Sequence, residues 1–304
     1  MDGILIVKKE KGCTSHDVVA KVKRIAKTKV GHTGTLDPIA TGVLPLLLGE
    51  GTKLSKYLIE HDKIYEAVVQ LGQKTDTADG EGKVIEEKGV NTNLVKTERI
   101  QTVLKQLEGK QKQRPPIYSA IKIEGKKLYE YARKNEEIEI PEREIEIYNM
   151  QLIDLNEEEK AISFRVHCSK GTYIRSLCET IAEKLNTVGY MKELNRIKVG
   201  KFTLGQAIDI RAIETSETMK QAEKNQGTNF WKENLITIEQ FFKDKSSIVL
   251  NERQLTLFYN GVQQTRKEKH EIYRIYNEKN QFIGTGIIEN GLLKREIVIK
   301  NIKD

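Results

Sequence analysis

Gly31 to Lys53 reads GHTGTLDPIATGVLPLLLGEGTK, and the fold turns on how this stretch is read. Between Gly31 and Gly51 it holds five glycines and two prolines, which predicts a path set by turns more than by any period. Asp37 precedes Pro38, so its backbone is pushed toward extended conformations in a loop whose glycines let other groups come close. A carboxylate there can point into a cleft, although Asp-Pro taken alone commonly just starts a turn. His32, between Gly31 and Thr33-Gly34, is expected to present its ring from a pliable backbone. The segment Gly49-Glu50-Gly51-Thr52-Lys53 lacks GxxxxGK[ST] spacing, so no nucleoside triphosphate site is expected.

On the N-terminal side, Ile4 to Lys8 reads as a strand. Thr14 to Asp17 supplies capping oxygens for a helix over 18–26, with Val18, Val19, Val22, Ile25 and Ala26 on one face. On the C-terminal side, Tyr65 to Leu71 alternates and puts Tyr65, Ala67, Val69 and Leu71 on one face of a strand. The loop from Asp76 to Gly82 fails as a calcium loop because Ala78, Gly80 and Glu81 fall at positions three, five and six. It is therefore expected to be an exposed hairpin loop. A helical segment over 95–107, an extended Arg114-Pro115-Pro116 and a basic run from Lys126 to Lys134 follow. Ile162 to Cys168 then alternates as a half-buried strand. It delivers Ser169 to Thr172 to a helix that buries Ile174, Leu177, Cys178, Ile181 and Leu185. Arg175 lies off that apolar stripe near the helix N-terminus, where the dipole disfavours a cation by roughly 0.3–1 kcal/mol, so it either snorkels to solvent or has an anionic neighbour. Periodicity fades over Asn225 to Asn234, and short β-rich runs with glycines between them follow.

Composition bounds the possibilities. The 304 residues carry 51 Lys plus Arg against 44 Asp plus Glu, a formal net charge of +7. With pI near 9.0 and mean hydropathy −0.53, a polyanionic partner is a reasonable expectation that charge alone does not decide. No apolar run approaches the ~20 residues a bilayer requires, and the first residues are unlike an export signal. Cys13, Cys168 and Cys178 are an odd count without CxxC spacing, so free thiols and a cytoplasmic location are expected. His16, His32, His61, His167 and His270 show no metal-ligand spacing, and Ser15-His16-Asp17 lacks the elbow of a serine hydrolase.

Four segments in order carry a resemblance: GHTGTLDPIATGVLPLLLGEGTK, KIYEAVVQLGQKTDTADGEG, RPPIYSAIKIEGKKLYEYAR and VHCSKGTYIRSLC. Together, across roughly residues 1–210, they resemble the bacterial tRNA pseudouridine-55 synthases of the TruB family. The last seventy residues resemble, more weakly, a PUA-type small β-barrel. The resemblance implies an α+β pseudouridine-synthase fold with a mixed, largely antiparallel central sheet and flanking helices. Residues 1–234 are expected to form the catalytic domain and 235–304 the PUA-like RNA-binding domain. The tail carries 12 basic against 9 acidic residues, +3 of the +7.

The implied reaction isomerises uridine 55 of the tRNA T-loop without a cofactor or metal. Asp37 matches the catalytic aspartate, acting on either the sugar or the base ring, and Arg175 the arginine that holds it ionised. Tyr65 matches the tyrosine that stacks on the target base, and Tyr173 and Leu194 match positions lining the uracil pocket. His32 matches the residue that fills the space left by the flipped base. The partner implied is the T-arm stem-loop of tRNA, met by a monomer with no membrane and no obligatory protein partner. A non-catalytic tRNA-binding or folding module is the alternative. A guide-RNA-dependent synthase fits the motif spelling less well. Two departures stand out: Glu10-Lys11 in the early KPxGxTS signature, and Asn195-Arg196 after Leu194. Both are expected to affect local stiffness or RNA contacts more than chemistry.

Overall fold

The computed structural model describes residues 1–91, 95–134, 136–215 and 230–299. β1 (Gly3–Lys9) leads through a tight turn into α1 (Ser15–Ala26). Thr14 and Asp17 cap this helix reciprocally: the Thr14 hydroxyl accepts from Asp17 N at 3.1 Å, and the Asp17 carboxylate accepts from Thr14 N at 2.8 Å. Such a box stabilises a helix start by about 1 kcal/mol and explains why α1 begins at the capping residues rather than at the first apolar one.

β2 (Val30–His32) and β3 (Thr41–Leu48) bracket the loop that carries Asp37. Within this stretch, expected to be set by turns more than by any period, β3 is a regular strand. Val43 and Leu47 pack with Ile4, Ile6, Leu54 and Leu58 on one face, while Leu44, Leu46 and Leu48 pack with Leu5, Val7, Val18 and Val22 on the other. A strand buried on both sides has no polar face, so its sequence shows no alternation. Pro45 is tolerated because β2 pairs only with residues 46–48 of that edge and the neighbouring strand described below only with 41–42.

After α2 (Ser55–Leu58), β4 (Lys63–Leu71) alternates as read, with Lys63, Tyr65, Ala67, Val69 and Leu71 buried. The β5 (Gln73–Thr75) and β6 (Val84–Glu87) hairpin follows, then α3 (Thr97–Gln106), β7 (Gly109–Gln113) and a small module of β8 (Lys122–Ile123), β9 (Lys126–Lys127) and α4 (Leu128–Arg133). β10 (Arg143–Asn156) and β11 (Ala161–Cys168) lead to α5 (Ile174–Lys184) and β12 (Gly189–Val199).

The central sheet runs β1-β3-β12-β4-β11-β10-β7, with β2 on β3. Its pairs are antiparallel except β3–β12 and the outer pairing of β1 with Ile208–Asp209, so the sheet is mixed and largely antiparallel. α3 and α5 cover β4, β10 and β11 through Ile100, Val103, Leu177, Cys178 and Ile181. Of the fading stretch, 225–229 lies outside the described residues, whereas Phe230–Asn234 is a helical turn whose Phe230 and Trp231 pack toward β1. Leu235–Thr237 adds to β1. A second, curled five-stranded sheet begins at Ser247 and forms a half-barrel of the PUA-like kind.

Candidate active site

The β2–β3 loop is clamped from one short segment, the turn between β1 and α1. Ser15 Oγ both donates to Leu36 O and accepts from Leu36 N, at 3.2 and 2.9 Å. Gly12 N donates to Pro38 O at 2.9 Å, and the fully buried Lys9 Nζ donates to Pro38 O and Ala40 O at 3.2 and 2.6 Å. Asp37 is thus held on both sides by bonds to its neighbours' backbone, a way of fixing a loop carboxylate without a regular element around it. Burial pushes the Lys9 ammonium pKa down, with the charges of Cys13 and Asp37 opposing.

Arg175, on the first turn of α5, does not snorkel. It is 5% exposed and holds Asp37 by a hydrogen bond from Nη2 to Oδ1 at 3.3 Å and an ion-pair contact of Nε with Oδ2 at 3.0 Å. Its remaining donors reach Thr77 O and Tyr118 O at 3.2 and 2.9 Å, so the fork is fixed from three sides. Asp37 keeps a third of its side-chain surface open. Burial raises its pKa, Arg175 lowers it, Asp79 raises it again, and the balance is upward.

Asp79 is a member that sequence reasoning missed. The loop over 76–82 is not exposed at this point: Asp79 is 5% exposed and 3.7 Å from Arg175 Nη1. Its Oδ1 accepts from Thr77 Oγ1 at 2.6 Å and Glu81 N at 3.1 Å. Gly80 N and Met191 N exchange bonds with Met191 O and Ala78 O, docking the hairpin on β12. No local signal marks this, since the arginine that makes Asp79 matter lies 96 residues later.

Tyr65 and Leu194 share one apolar cluster with Leu36, Ile39 and Ala40, which flank Asp37 in the chain. Leu194 lies opposite Ala67, and its carbonyl accepts from Thr41 Oγ1 at 3.4 Å. Burial pushes the Tyr65 phenol pKa up and Arg196 pulls it back. Tyr173, just before α5, is pinned by Gln113, whose side chain accepts from Tyr173 N and donates to Tyr173 O at 2.8 and 2.9 Å. His32 stands apart from the carboxylate: its ring meets His16 edge-on at 5.5 Å, and its Nδ1 is buried without a partner. Burial, then His16, push its pKa down, so the ring is neutral near neutrality.

Of the two effects expected for Arg196, local stiffness or RNA contact, its burial favours the first: at 1% exposure it is the largest fully buried side chain among the described residues. Chemically, the site offers one part-open carboxylate, Asp37, beside a guanidinium that a second, buried carboxylate, Asp79, also faces, with an aromatic ring and a leucine. Among the described residues no three His, Cys, Asp or Glu side chains group to hold a metal ion.

The family model described as TruB family pseudouridylate synthase (N terminal domain) matches residues 22–174. A protein of Clostridium kluyveri called tRNA pseudouridine synthase B is 39% identical over 294 residues, covering 94% of this chain and 96% of the relative. One of the same name from Oceanobacillus iheyensis is 43% identical over 272 residues, with 87% and 88% covered. Among solved structures, a chain of an H/ACA RNP bound to a substrate RNA containing 2′-deoxyuridine aligns with a TM-score of 0.69 at 20% identity. It covers 98% of this chain and 85% of that one, a likeness of fold.

Proposed function

The chain belongs to the TruB family of pseudouridylate synthases and is a tRNA uridine-isomerising enzyme; we propose that its target is uridine 55 of the T-loop and that Asp37 carries the chemistry. The observation behind this is the paired Arg175 guanidinium on a part-open Asp37, with Tyr65 and Leu194 beside it. The reaction is internally balanced. The N1–C1′ bond breaks, the uracil turns, C5 bonds to C1′, and the C5 hydrogen leaves as a proton while N1 ends with one. One accessible carboxylate, with Asp79 buried against Arg175, suits such a reaction when ionised, as nucleophile or as stabiliser of a cation-like sugar, where hydrolysis would call for an accessible pair. Arg175 favours the ionised form of Asp37 and offsets part of the upward pull of its burial. Tyr65 and Leu194 would sandwich the flipped uracil, Tyr173 would line its edge, and His32 would stack into the gap left in the loop.

Residues 235–304 would form a second RNA-binding unit, with the strand over 235–237 as its junction to β1. We further propose that the enzyme works as a cytoplasmic monomer without an obligatory protein partner. No helix among the described residues is long and apolar enough to cross a membrane.

Tritium release from a T-arm stem-loop labelled at uridine C5, measured in EDTA, tests the reading, because C5 loses its hydrogen only when the new bond forms. Wild type is expected to release label. Asp37→Asn is expected to lose the rate by several powers of ten while still binding the RNA. Tight binding without release by either protein would favour a tRNA-folding module.

A further inference from the structure

We propose that Arg196 is a positioning residue that sets the width of the slot between Tyr65 and the Asp37 loop; this rests on the assignment of those two residues above. Its guanidinium is shared among three pieces of the site. Nε donates to Val43 O of β3 at 2.8 Å, and Nη2 donates to Gly34 O of the Asp37 loop at 3.0 Å. Its positive charge also acts on the Tyr65 phenol on β4. Its backbone pairs with Gly42 on one side and Tyr65 on the other, so it bridges the β3–β12–β4 seam.

Two features set it apart from an ordinary bolt. Among the described residues it has no ion pair, so a full positive charge is buried against neutral acceptors only. Burying such a charge is costly, and an apolar side chain of equal length would fill the volume without that cost. What the charged, planar fork supplies is two directed donors at fixed angles, and a positive charge beside the phenol that counters the effect of burial on it. The surroundings are also shaped to it: a Cβ on Gly34 would lie 3.3 Å from its Nη1. One rigid group therefore fixes the base-stacking ring, the β3 edge and the loop of the carboxylate relative to one another. Near-attack geometry depends on that spacing.

Arg196→Met, Arg196→Lys and Tyr65→Phe, singly and with Met and Phe combined, are compared by single-turnover tritium release and by T-arm affinity. Arg196→Met is expected to slow the chemical step by about 10²-fold, the loss typical of a displaced reacting pair, with affinity nearly unchanged. Arg196→Lys keeps the charge but loses the fork and should fall between. Removing the Tyr65 hydroxyl should cost less in the Met background than alone, since the charge that acts on the phenol is already gone. A wild-type rate in Arg196→Met, equal losses in rate and affinity, or additive effects with Tyr65→Phe would each overturn the proposal. If Arg196→Met does not fold, Gly34→Ala presses on the same guanidinium while leaving its charge; a lowered rate at unchanged affinity supports the proposal, and no change overturns it. Asp37→Asn run alongside separates the two readings: release by that variant sinks the assignment of Asp37, whereas a dead Asp37→Asn beside fully active Arg196 variants sinks only the role of Arg196.

Discussion

Asp37 is held where its charge is costly to the folded state. Burial outweighs Arg175, so its folded pKa lies above the ordinary carboxylate value. Between those two values the native protein binds more protons than the unfolded chain, so stability falls as pH rises through that window and stays reduced at neutrality. Asp37→Asn removes this term while Arg175 keeps its bonds to Thr77 O and Tyr118 O and its neighbour Asp79. This variant is therefore expected to melt above wild type at pH 7–8, with the gap closing toward about pH 3, where the acid is neutral in both states. Thermal melts of both proteins across that range would check it, and a variant less stable at pH 8 would refute it. At this scale the sequence showed the types but not the encounters. Asp37, Tyr65 and Arg175 stand in quotable motifs, whereas Asp79 and Arg196 gain their meaning from partners 96 and 131 residues away.

The seam between β3 and β12 is the element on which the site hangs, and it closes by backbone approach. Gly42 has φ +112, and a Cβ there would lie 2.2 Å from Arg196 O. Gly42→Ala must either twist β3 or push β12 away, carrying Arg196 and Leu194 with it. We expect a loss of about 2–4 kcal/mol in urea unfolding and a slower chemical step; an alanine tolerated within about 0.5 kcal/mol would contradict this account of the seam. Legibility at the element scale followed burial. β4 could be read because only one face is buried and its polarity alternates. β3 could not, because apolar neighbours on both faces erase the alternation and Pro45 looks like a breaker until the gap in pairing beside it is seen. The 76–82 loop was readable as a hairpin turn but not as a buried one, since its docking on β12 is made by backbone groups that any sequence possesses.

Across the whole molecule, the two sheets are joined rather than strung apart. Ile297 of the C-terminal sheet packs in the same cluster as Ile4 and Val43, and Glu296 pairs with Lys56 of α2. The net charge is spread over both parts, so long-range attraction to RNA needs a place where basic groups face solvent together. The β8–β9–α4 module offers one. Lys127 and Arg133 lie over the Tyr129 ring at 5.2 and 5.3 Å, and Lys126 lies over Tyr131 at 5.4 Å. Leu128 and Tyr131 are buried beneath them, so the module is anchored while its charges stay wet. Just upstream, Tyr118 O accepts from Arg175, which ties this stretch of chain to the catalytic cleft without giving its cations any role there. Replacing Lys126, Lys127 and Arg133 by Gln should remove three phosphate neighbours. The slope of log affinity against log salt should then fall by about 2, at roughly 0.7–0.9 per contact, while the single-turnover rate at saturating RNA holds. Titrations from low to high salt would measure it. An unchanged slope would move the RNA backbone off this face, and a lowered saturating rate would mean that the module also shapes the slot in which the base is turned.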